Sequence, residues 1–237
     1  METKEDFLNG KILLFDKDKE WTSFDLVNKT RNLIRKTFDI KKIKVGHAGT
    51  LDPLATGLMI VCSGKETKKI DQYQGQDKTY ITTIKLGEST PSFDLETEVD
   101  NTAPTQQITL DLITKTINQS FIGEIEQVPP MFSAININGQ RAYKLAREGK
   151  TVELKKRIIT INEINILDFS LPLLTLEIKC SKGTYIRSLA RDIGLALGSL
   201  GHLTELKRTQ IGDYKLSDAI TITEFETQIT SNKSIEN

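Results

Sequence analysis

The segment GHAGTLDPLATG, residues 46–57, combines a carboxylate with the backbone features of a binding loop. Asp52 stands directly before Pro53, and a residue before proline is biased towards extended backbone and away from helix. Three glycines in the segment allow backbone to come close to a ligand. A carboxylate held in this way could act as a nucleophile or a general base. The residue types alone leave a second interpretation open, in which Asp-Pro only forms a turn.

A run of positive charge leads into this loop. Between residues 31 and 44 the basic residues are Arg31, Arg35, Lys36, Lys41, Lys42 and Lys44. Such a cluster could neutralise phosphates beside Asp52 and give a salt-dependent affinity. A solvated helix face followed by a lysine-rich loop is the alternative interpretation.

The segment KCSKGTYIRSLARD, residues 179–192, places Arg187 in the first turn of a predicted helix. An arginine there makes a surface contact or a local ion pair, or it reaches a carboxylate elsewhere in the fold and keeps it ionised. Tyr80 and Tyr185 could be core aromatics or stacking platforms for a base. His47 could make a turn hydrogen bond or contact a phosphate or a base.

Composition and size narrow the class of protein. The 237 residues are 38% hydrophobic and 27% charged, which is ordinary for a globular protein with one large domain, or one domain and a small appendage. The net charge of zero argues mildly against a nucleic-acid binder, although affinity for phosphates depends on local clusters. Two cysteines, Cys62 and Cys180, and two histidines favour neither a disulfide framework nor a metal site. No segment has the pattern of a membrane helix or signal peptide, so we expect a cytoplasmic protein.

The elements that must position these residues are interspersed strands and helices. The hydrophobic patterns predict strands at residues 11–17, 58–64, 78–87, 155–170, 173–183 and 202–212. They predict helices at residues 23–38, 108–121 and 185–198, the first of them capped by Ser23. The polar stretch 88–107 is predicted to be a long surface loop. Strands and helices do not alternate regularly, which favours an α+β fold with a mixed or antiparallel sheet.

A series of segments, in the expected order, resembles the tRNA pseudouridine-55 synthases, the TruB family. GHAGTLDPLATGLMIVCSGKETK resembles the signature of that family, and LLFDKDKEWTSFDLV resembles its opening strand and turn. KTYITTIKLGESTPSFD resembles its tyrosine-bearing strand and acidic loop. The later motifs are matched by VPPMFSAININGQRAYKLAREG, CSKGTYIRSLARDIG and HLTELKRTQIG. The resemblance covers roughly residues 10–218.

The resemblance implies a pseudouridine synthase fold, with a mixed, largely antiparallel central sheet flanked by helices and loops. Asp52 would be the nucleophile that attacks the target uridine, at the ribose C1′ or at the base, and Arg187 would pair with it. Tyr80 would stack on the flipped base and help to remove its C5 proton. The other substrate-binding residues that the resemblance implies are His47, which would help the RNA loop to open, Tyr185 and Leu206, which would line the uridine pocket, and Lys17.

The implied reaction converts uridine 55 in the T-loop of tRNA to pseudouridine. It breaks the N1–C1′ bond, rotates the base and joins C5 to C1′. Because nothing is oxidised and no group is brought in, we expect neither a cofactor nor a metal. The expected partner is the T-arm of tRNA, with no membrane and no obligatory protein partner, and the chain is expected to be a monomer.

The chain departs from the family pattern in three places. Asp18 and Glu20 stand where Pro and Gly are usual, and Pro91 stands where Asp is usual. We predict a catalytic domain at residues 1–220 and a short C-terminal tail at 221–237, with the usual C-terminal RNA-binding domain absent.

Three other functions remain open. One is a guide-RNA-dependent rRNA pseudouridine synthase subunit, and a second is a non-catalytic tRNA-binding module on the same fold. A third is a glycosidase-like enzyme that uses Asp52 and a second carboxylate.

Overall fold

The computed structural model of the chain describes residues 2–150 and 152–231. Its α-helices are α1 (Lys4–Asn9), α2 (Ser23–Thr37), α3 (Ile70–Gln74), α4 (Leu110–Ser120), α5 (Ala142–Arg147), α6 (Ile186–Ala196) and α7 (Ile222–Ser231). Its strands are β1 (Ile12–Lys17), β2 (Val45–His47), β3 (Thr56–Ser63), β4 (Lys78–Leu86), β5 (Glu88–Ser89), β6 (Asn101–Thr102), β7 (Gly123–Gln127), β8 (Asn136–Ile137), β9 (Gln140–Arg141), β10 (Arg157–Ser170), β11 (Leu173–Cys180), β12 (Gly201–Ile211) and β13 (Tyr214–Lys215). Short 3-10 helices span Gly64–Lys69 and Leu216–Asp218.

The chain forms two compact units, each with its own contacts. The first unit contains residues up to 80 and from 207 onwards, and the second contains residues 81–206. Strands β4 and β12 contribute residues to both units, and they belong to a nine-stranded sheet in the described part of the chain. The pairing is antiparallel for β1 with β3 and parallel for β12 with β3. The predicted α+β fold with a mixed, largely antiparallel sheet is therefore confirmed.

Strand β3 is the centre of the first unit. It pairs along its length with β1, from Lys17↔Gly57 to Ile12↔Cys62. On its other edge it pairs with β2 near its end and with β12 near its beginning. Seven of its eight residues are buried, as expected for a strand covered on both faces. The loop that contains Asp52 therefore leads directly into a rigid, buried strand.

Helix α2 follows β1 and begins at a capping box. The hydroxyl of Thr22 accepts a hydrogen bond from the Asp25 backbone N–H, while the Asp25 carboxylate accepts one from the Thr22 N–H. The prediction that Ser23 caps this helix is wrong, because Thr22 occupies the cap position. Ser23 is buried, and its hydroxyl contacts the loop that contains Asp52.

Helix α7 completes the first unit. Its buried residue Phe225 meets Phe15 of β1 edge-to-face, with 5.4 Å between ring centroids, and Phe7 at 6.4 Å. Residues 222–231 of the predicted tail thus form a helix with a buried apolar face, and residues 232–237 lie outside the described residues. The division into a catalytic domain at 1–220 and a tail at 221–237 stays a prediction.

The second unit is built on the antiparallel strands β7, β10 and β11. Strand β11 alternates, with Leu174, Leu176 and Ile178 buried. Helix α6 buries one face, as its apolar spacing predicts.

The stretch predicted to be a long surface loop, residues 88–107, is more ordered than expected. It contains the two-stranded pair β5–β6, and it buries Thr90, Ser92 and Asp94. The sequence did not predict this order, because a polar side chain looks the same in sequence whether it is buried with a partner or solvated.

Candidate active site

The backbone before Asp52 is fixed by the start of helix α2. The Asp52 loop, residues 48–55, connects β2 to β3. The Ser23 hydroxyl accepts a hydrogen bond from the Leu51 backbone N–H at 2.9 Å and donates one to the Leu51 carbonyl at 3.0 Å. Ser23 and Leu51 are both buried, so these hydrogen bonds do not compete with bulk water. The residue before Asp52 therefore has both of its backbone polar groups satisfied by one side chain.

The backbone after Asp52 is fixed by the turn that follows β1. The carbonyl of Pro53 accepts a hydrogen bond from the Glu20 backbone N–H at 2.7 Å. Glu20 has a φ of 71°, in the left-handed region that favours glycine. This explains in physical terms why a glycine at this position would suit the turn, as the family pattern has it. Asp52 itself is half-buried between these two fixed neighbours.

Lys17 supplies a second contact to the same carbonyl. It ends β1 with 1% of its surface exposed, and its Nζ donates to the carbonyls of Trp21 at 2.7 Å, Asp18 at 2.9 Å and Pro53 at 3.4 Å. Burial lowers the pKa of Lys17 to about 8, against the opposing effect of the Asp18 and Asp52 carboxylates. Lys17 thus lies beside the Asp52 loop, and its ammonium group holds backbone; its role in substrate binding stays a prediction.

Arg208 on β12 is a residue that sequence reasoning missed. It is 1% exposed, and its guanidinium donates to carbonyls of the Asp52 loop and of β3. Its neighbour Lys207 is exposed. Successive side chains of a strand point to opposite faces, so the alternation along β12 was the signal in the sequence that could have indicated that Arg208 is buried.

His47 is the last residue of β2 and is half-buried. Burial lowers the pKa of its imidazole below the usual 6.5, against the opposing effect of a backbone hydrogen bond with Gly49, and the Arg208 charge adds to the lowering, so the neutral form is favoured at pH 7. Its Nδ1 atom is buried and has no hydrogen-bond partner among the described residues. His47 is therefore held in a neutral form with one ring nitrogen unsatisfied.

Tyr80 is the third residue of β4 and is 9% exposed. Along β4 it shares a face with Lys78 and Thr82, in the strict alternation that the sequence predicted. The first unit therefore contains four of the predicted site residues: Asp52, Tyr80, His47 and Lys17.

Arg187 lies in the first turn of α6, in the second unit, and is 4% exposed. Its guanidinium donates to the carbonyls of Phe132 at 2.8 Å and Ser92 at 3.2 Å, and it lies 3.4 Å from the carboxylate of Asp94. Asp94 is buried and was not singled out from the sequence, although it lies at the end of a matched motif. The pairing of Arg187 with Asp52 stays a prediction.

Tyr185 occupies the N-cap position of α6, also in the second unit. The buried Gln127 side chain accepts from its backbone N–H at 2.8 Å and donates to its carbonyl at 3.1 Å. The Arg157 guanidinium carbon lies 5.1 Å from the centre of the tyrosine ring. Tyr185 and Leu206 of β12 are both half-buried, so part of each side chain is open to solvent.

Residues 2–150 and 152–231 contain neither a metal-binding cluster nor a disulfide bond. No cluster of three or more His, Cys, Asp or Glu side chains there is placed to hold a metal ion. Cys62 and Cys180 are both buried, and burial raises the pKa of the Cys62 thiol to about 11. None of the described helices is both long and apolar enough to cross a membrane.

Two family models match adjacent parts of the chain. The model of the TruB family pseudouridylate synthase N-terminal domain matches residues 35–186, which contain the Asp52 loop and Tyr80. The model of the tRNA pseudouridylate synthase B C-terminal domain matches residues 187–237.

Curated relatives cover almost the whole chain. The tRNA pseudouridine synthase B of Parabacteroides distasonis is 53% identical over 227 residues, 96% of each chain. That of Phocaeicola vulgatus is 55% identical over 92% of this chain and 93% of its own length. That of Francisella tularensis subsp. novicida is 44% identical over 97% of this chain and 75% of its own length.

Among solved structures, a chain in the crystal structure of a Cbf5-Nop10-Gar1 complex aligns with a TM-score of 0.69 and 26% identity, over 93% of this chain. This chain spans about half of that longer chain, 54% of its length. The fold and the matched motifs are those of a pseudouridine synthase. Within that class, the chain belongs to the TruB family of pseudouridylate synthases.

Proposed function

We propose that this chain isomerises uridine 55 in the T-loop of tRNA to pseudouridine, with Asp52 as the nucleophile. The observation that carries the proposal is the immobilisation of Asp52: Ser23 holds the backbone of Leu51, and Glu20 and Lys17 hold the carbonyl of Pro53. A carboxylate on backbone that is held on both sides needs less reordering at each turnover. The relatives named tRNA pseudouridine synthase B supply the substrate class.

The reaction needs one nucleophile and a site that accommodates a rotating base. The N1–C1′ bond breaks, the base turns, and C5 bonds to C1′ while C5 loses a proton and N1 gains one. Asp52 attacks at C1′ or at the base, and Arg187 keeps Asp52 ionised by pairing with it. No atom changes oxidation state through an external agent, so the proposal includes no cofactor.

The target base must leave its stack before it reacts, at a cost of a few kcal/mol. Stacking on an aromatic side chain stabilises a base by about 1–3 kcal/mol, which offsets this cost. Tyr80 is proposed to stack on the flipped base and help to remove its C5 proton, while Tyr185 and Leu206 line the pocket. His47, which is half-buried at the end of β2, is proposed to help the RNA loop to open.

The RNA is proposed to bind through the T-arm, partly on the basic segment that precedes the Asp52 loop. Lys41, Lys42 and Lys44 are exposed and take part in none of the ion pairs among the described residues. Unpaired surface lysines can exchange their counterions for RNA phosphates. We propose that the chain works as a monomer in the cytoplasm and needs no protein partner.

The test is an assay of purified protein with unmodified tRNA and no other component. Tritium release from C5-labelled uridine is expected for the wild type and is expected to vanish for Asp52→Asn, while tRNA binding changes by no more than about threefold. Asp213→Asn, which changes an exposed turn residue, is the matched control and should retain activity. Activity of Asp52→Asn would exclude Asp52 as the nucleophile, and a wild type without activity on tRNA alone would favour a guide-RNA-dependent or non-catalytic role.

A further inference from the structure

The guanidinium of Arg208 is a buried charge whose acceptors are all backbone carbonyls. The residue is 1% exposed, and it is the largest fully buried side chain in the described part of the protein. Removing a charged group from water is strongly unfavourable unless hydrogen bonds replace the lost hydration. The hydrogen bonds that replace the lost hydration of Arg208 therefore show which part of the backbone the guanidinium holds in place.

The partners of Arg208 lie on both sides of Asp52. Its Nη2 donates to the carbonyl of Gly49 at 3.2 Å, and its Nη1 contacts the carbonyl of Thr50 at 3.5 Å. Its Nε donates to the carbonyl of Leu58 at 2.8 Å, in β3 beyond the loop. One planar group therefore ties the beginning of the Asp52 loop to the strand into which the loop runs. With the Ser23 and Lys17 contacts, backbone carbonyls both before and after Asp52 are held by buried donors.

The sheet brings Arg208 to this position through a very close approach of two strands. Arg208 lies beside Gly57 in the parallel pair β12–β3. Gly57 has a φ of +102°, and a Cβ atom built there would lie 2.3 Å from the Arg208 carbonyl oxygen. Only glycine satisfies both constraints. Gly57 is thus the residue that lets β12 come close enough to place the guanidinium against the loop.

We propose that Arg208 is a positioning residue for the Asp52 carboxylate. It fixes the backbone at Gly49, Thr50 and Leu58, and through that backbone it sets where Asp52 points. This rests on the proposed nucleophilic role of Asp52. Arg208 does not contact the substrate, because it is buried and its three nitrogens face protein carbonyls. A displacement of about 1 Å at a reacting group can cost about 100-fold in rate, so a loosened loop should lower turnover.

The proposal is tested with Arg208→Lys and with a matched control on the same strand. Lysine keeps the positive charge but lacks the planar fork that reaches three acceptors. We expect kcat for pseudouridine formation on unmodified tRNA to fall by about 10- to 100-fold, with KM within about threefold of the wild type. Lys207→Met changes the exposed neighbour and should leave both constants within about twofold.

A role in folding alone is separated from positioning by two further measurements. Each variant is assayed well below its Tm, and kcat is corrected for the folded fraction measured by circular dichroism. In the Asp52→Asn background, addition of Arg208→Lys should leave the Kd for tRNA unchanged within about threefold, because positioning of an inactive residue does not affect binding.

Three results would overturn the proposal: a kcat for Arg208→Lys within about twofold of the wild type, a loss fully explained by the unfolded fraction, or a rise in KM with kcat unchanged. These results are distinct from failure of the proposed function. That failure would show as an inactive wild type or an active Asp52→Asn variant, whatever Arg208→Lys does.

Discussion

Lys17 carries an ammonium group in a place with almost no access to solvent. Its three acceptors are backbone carbonyls of the turn after β1 and of the Asp52 loop. Burial holds the pKa of Lys17 at about 8, whereas an exposed lysine titrates near 10.5. The folded protein therefore loses this proton at a lower pH than the unfolded chain does.

The free energy of unfolding should depend on pH because the pKa of Lys17 differs between the folded and unfolded states. Between pH 8 and 10.5 the unfolded state binds more protons at Lys17 than the folded state, so the contribution of this group to the free energy of unfolding rises with pH. We expect the stability of the wild type relative to Lys17→Met to increase across this window, by at most about 3 kcal/mol. Urea denaturation at a series of pH values measures it. A difference that stays flat or falls with pH would contradict the burial effect.

Two adjacent hydroxyl side chains at the start of α2 make different contacts. Thr22 caps the helix, and Ser23 holds the backbone of Leu51. The sequence predicts Ser23 as the cap, although serine and threonine both favour that position and residue type does not separate them. Only the placement of the Asp52 loop against α2 decides which hydroxyl does which.

Substitutions of Thr22 and Ser23 should separate helix capping from the contact with Leu51. Thr22→Ala should lower the free energy of unfolding by about 1 kcal/mol and leave kcat unchanged, because it removes a cap. Ser23→Ala should cost about 1–3 kcal/mol, because it leaves the buried N–H of Leu51 without a partner, and it should also lower kcat. Thermal denaturation and steady-state kinetics on the same samples provide the comparison. Equal kcat values for the two variants would show that the Leu51 contact does not matter for turnover.

Helix α7 belongs to the core of the first unit, although its segment lies in the predicted C-terminal tail. Phe225 is 1% exposed and packs edge-to-face against Phe15. We expect Phe225→Ala to lower the free energy of unfolding by about 3–5 kcal/mol, because it leaves a cavity between aromatic rings. Gln228→Ala, on the exposed face of the same helix, should change it by less than about 0.5 kcal/mol. Chemical denaturation of both variants would refute the packing role if their midpoints coincided.

Across the whole molecule, the zero net charge hides a local surplus. Residues 31–44 contain six basic residues and a single acid, Asp39, within a chain that has 32 of each sign. The guanidinium of Arg31 donates hydrogen bonds to the Val45 carbonyl and the Asn28 side chain, so the exposed lysines carry the accessible charge. A neutral protein can therefore still present a positive surface to RNA.

The salt dependence of tRNA binding should report how much this surface contributes. Replacing Lys41, Lys42 and Lys44 together with glutamine is expected to reduce the slope of log K against log salt by about 2–3, with kcat at saturating tRNA unchanged. A control triple variant replaces three exposed lysines of the second unit, Lys115, Lys155 and Lys179, with glutamine. If both triple variants lower the slope equally, the effect is one of overall charge and the segment has no special place in binding.

Short-range patterns were enough to predict much of the fold and part of the site. The alternation in β4, the apolar run of β3 and the helical spacing in α2 and α6 all follow from local periodicity. The order of the motifs gave the family, and the resemblance, not the Asp-Pro step alone, indicated the role of Asp52. The prediction of Ser23 as the cap was wrong, and residues 88–107 contain the β5–β6 pair and buried polar side chains within the predicted loop, because these features depend on tertiary contacts.

The sequence by itself determined the family, since the matched motifs follow one another in the expected order, and through the family it indicated Asp52 as the candidate nucleophile. Only the tertiary structure decided what holds that loop. Arg208 is 159 positions from Gly49, and Ser23 is 28 positions from Leu51. The physical reason is that a buried polar side chain must find acceptors wherever the sheet places them, and the pairing of β12 with β3 is not encoded in any local pattern.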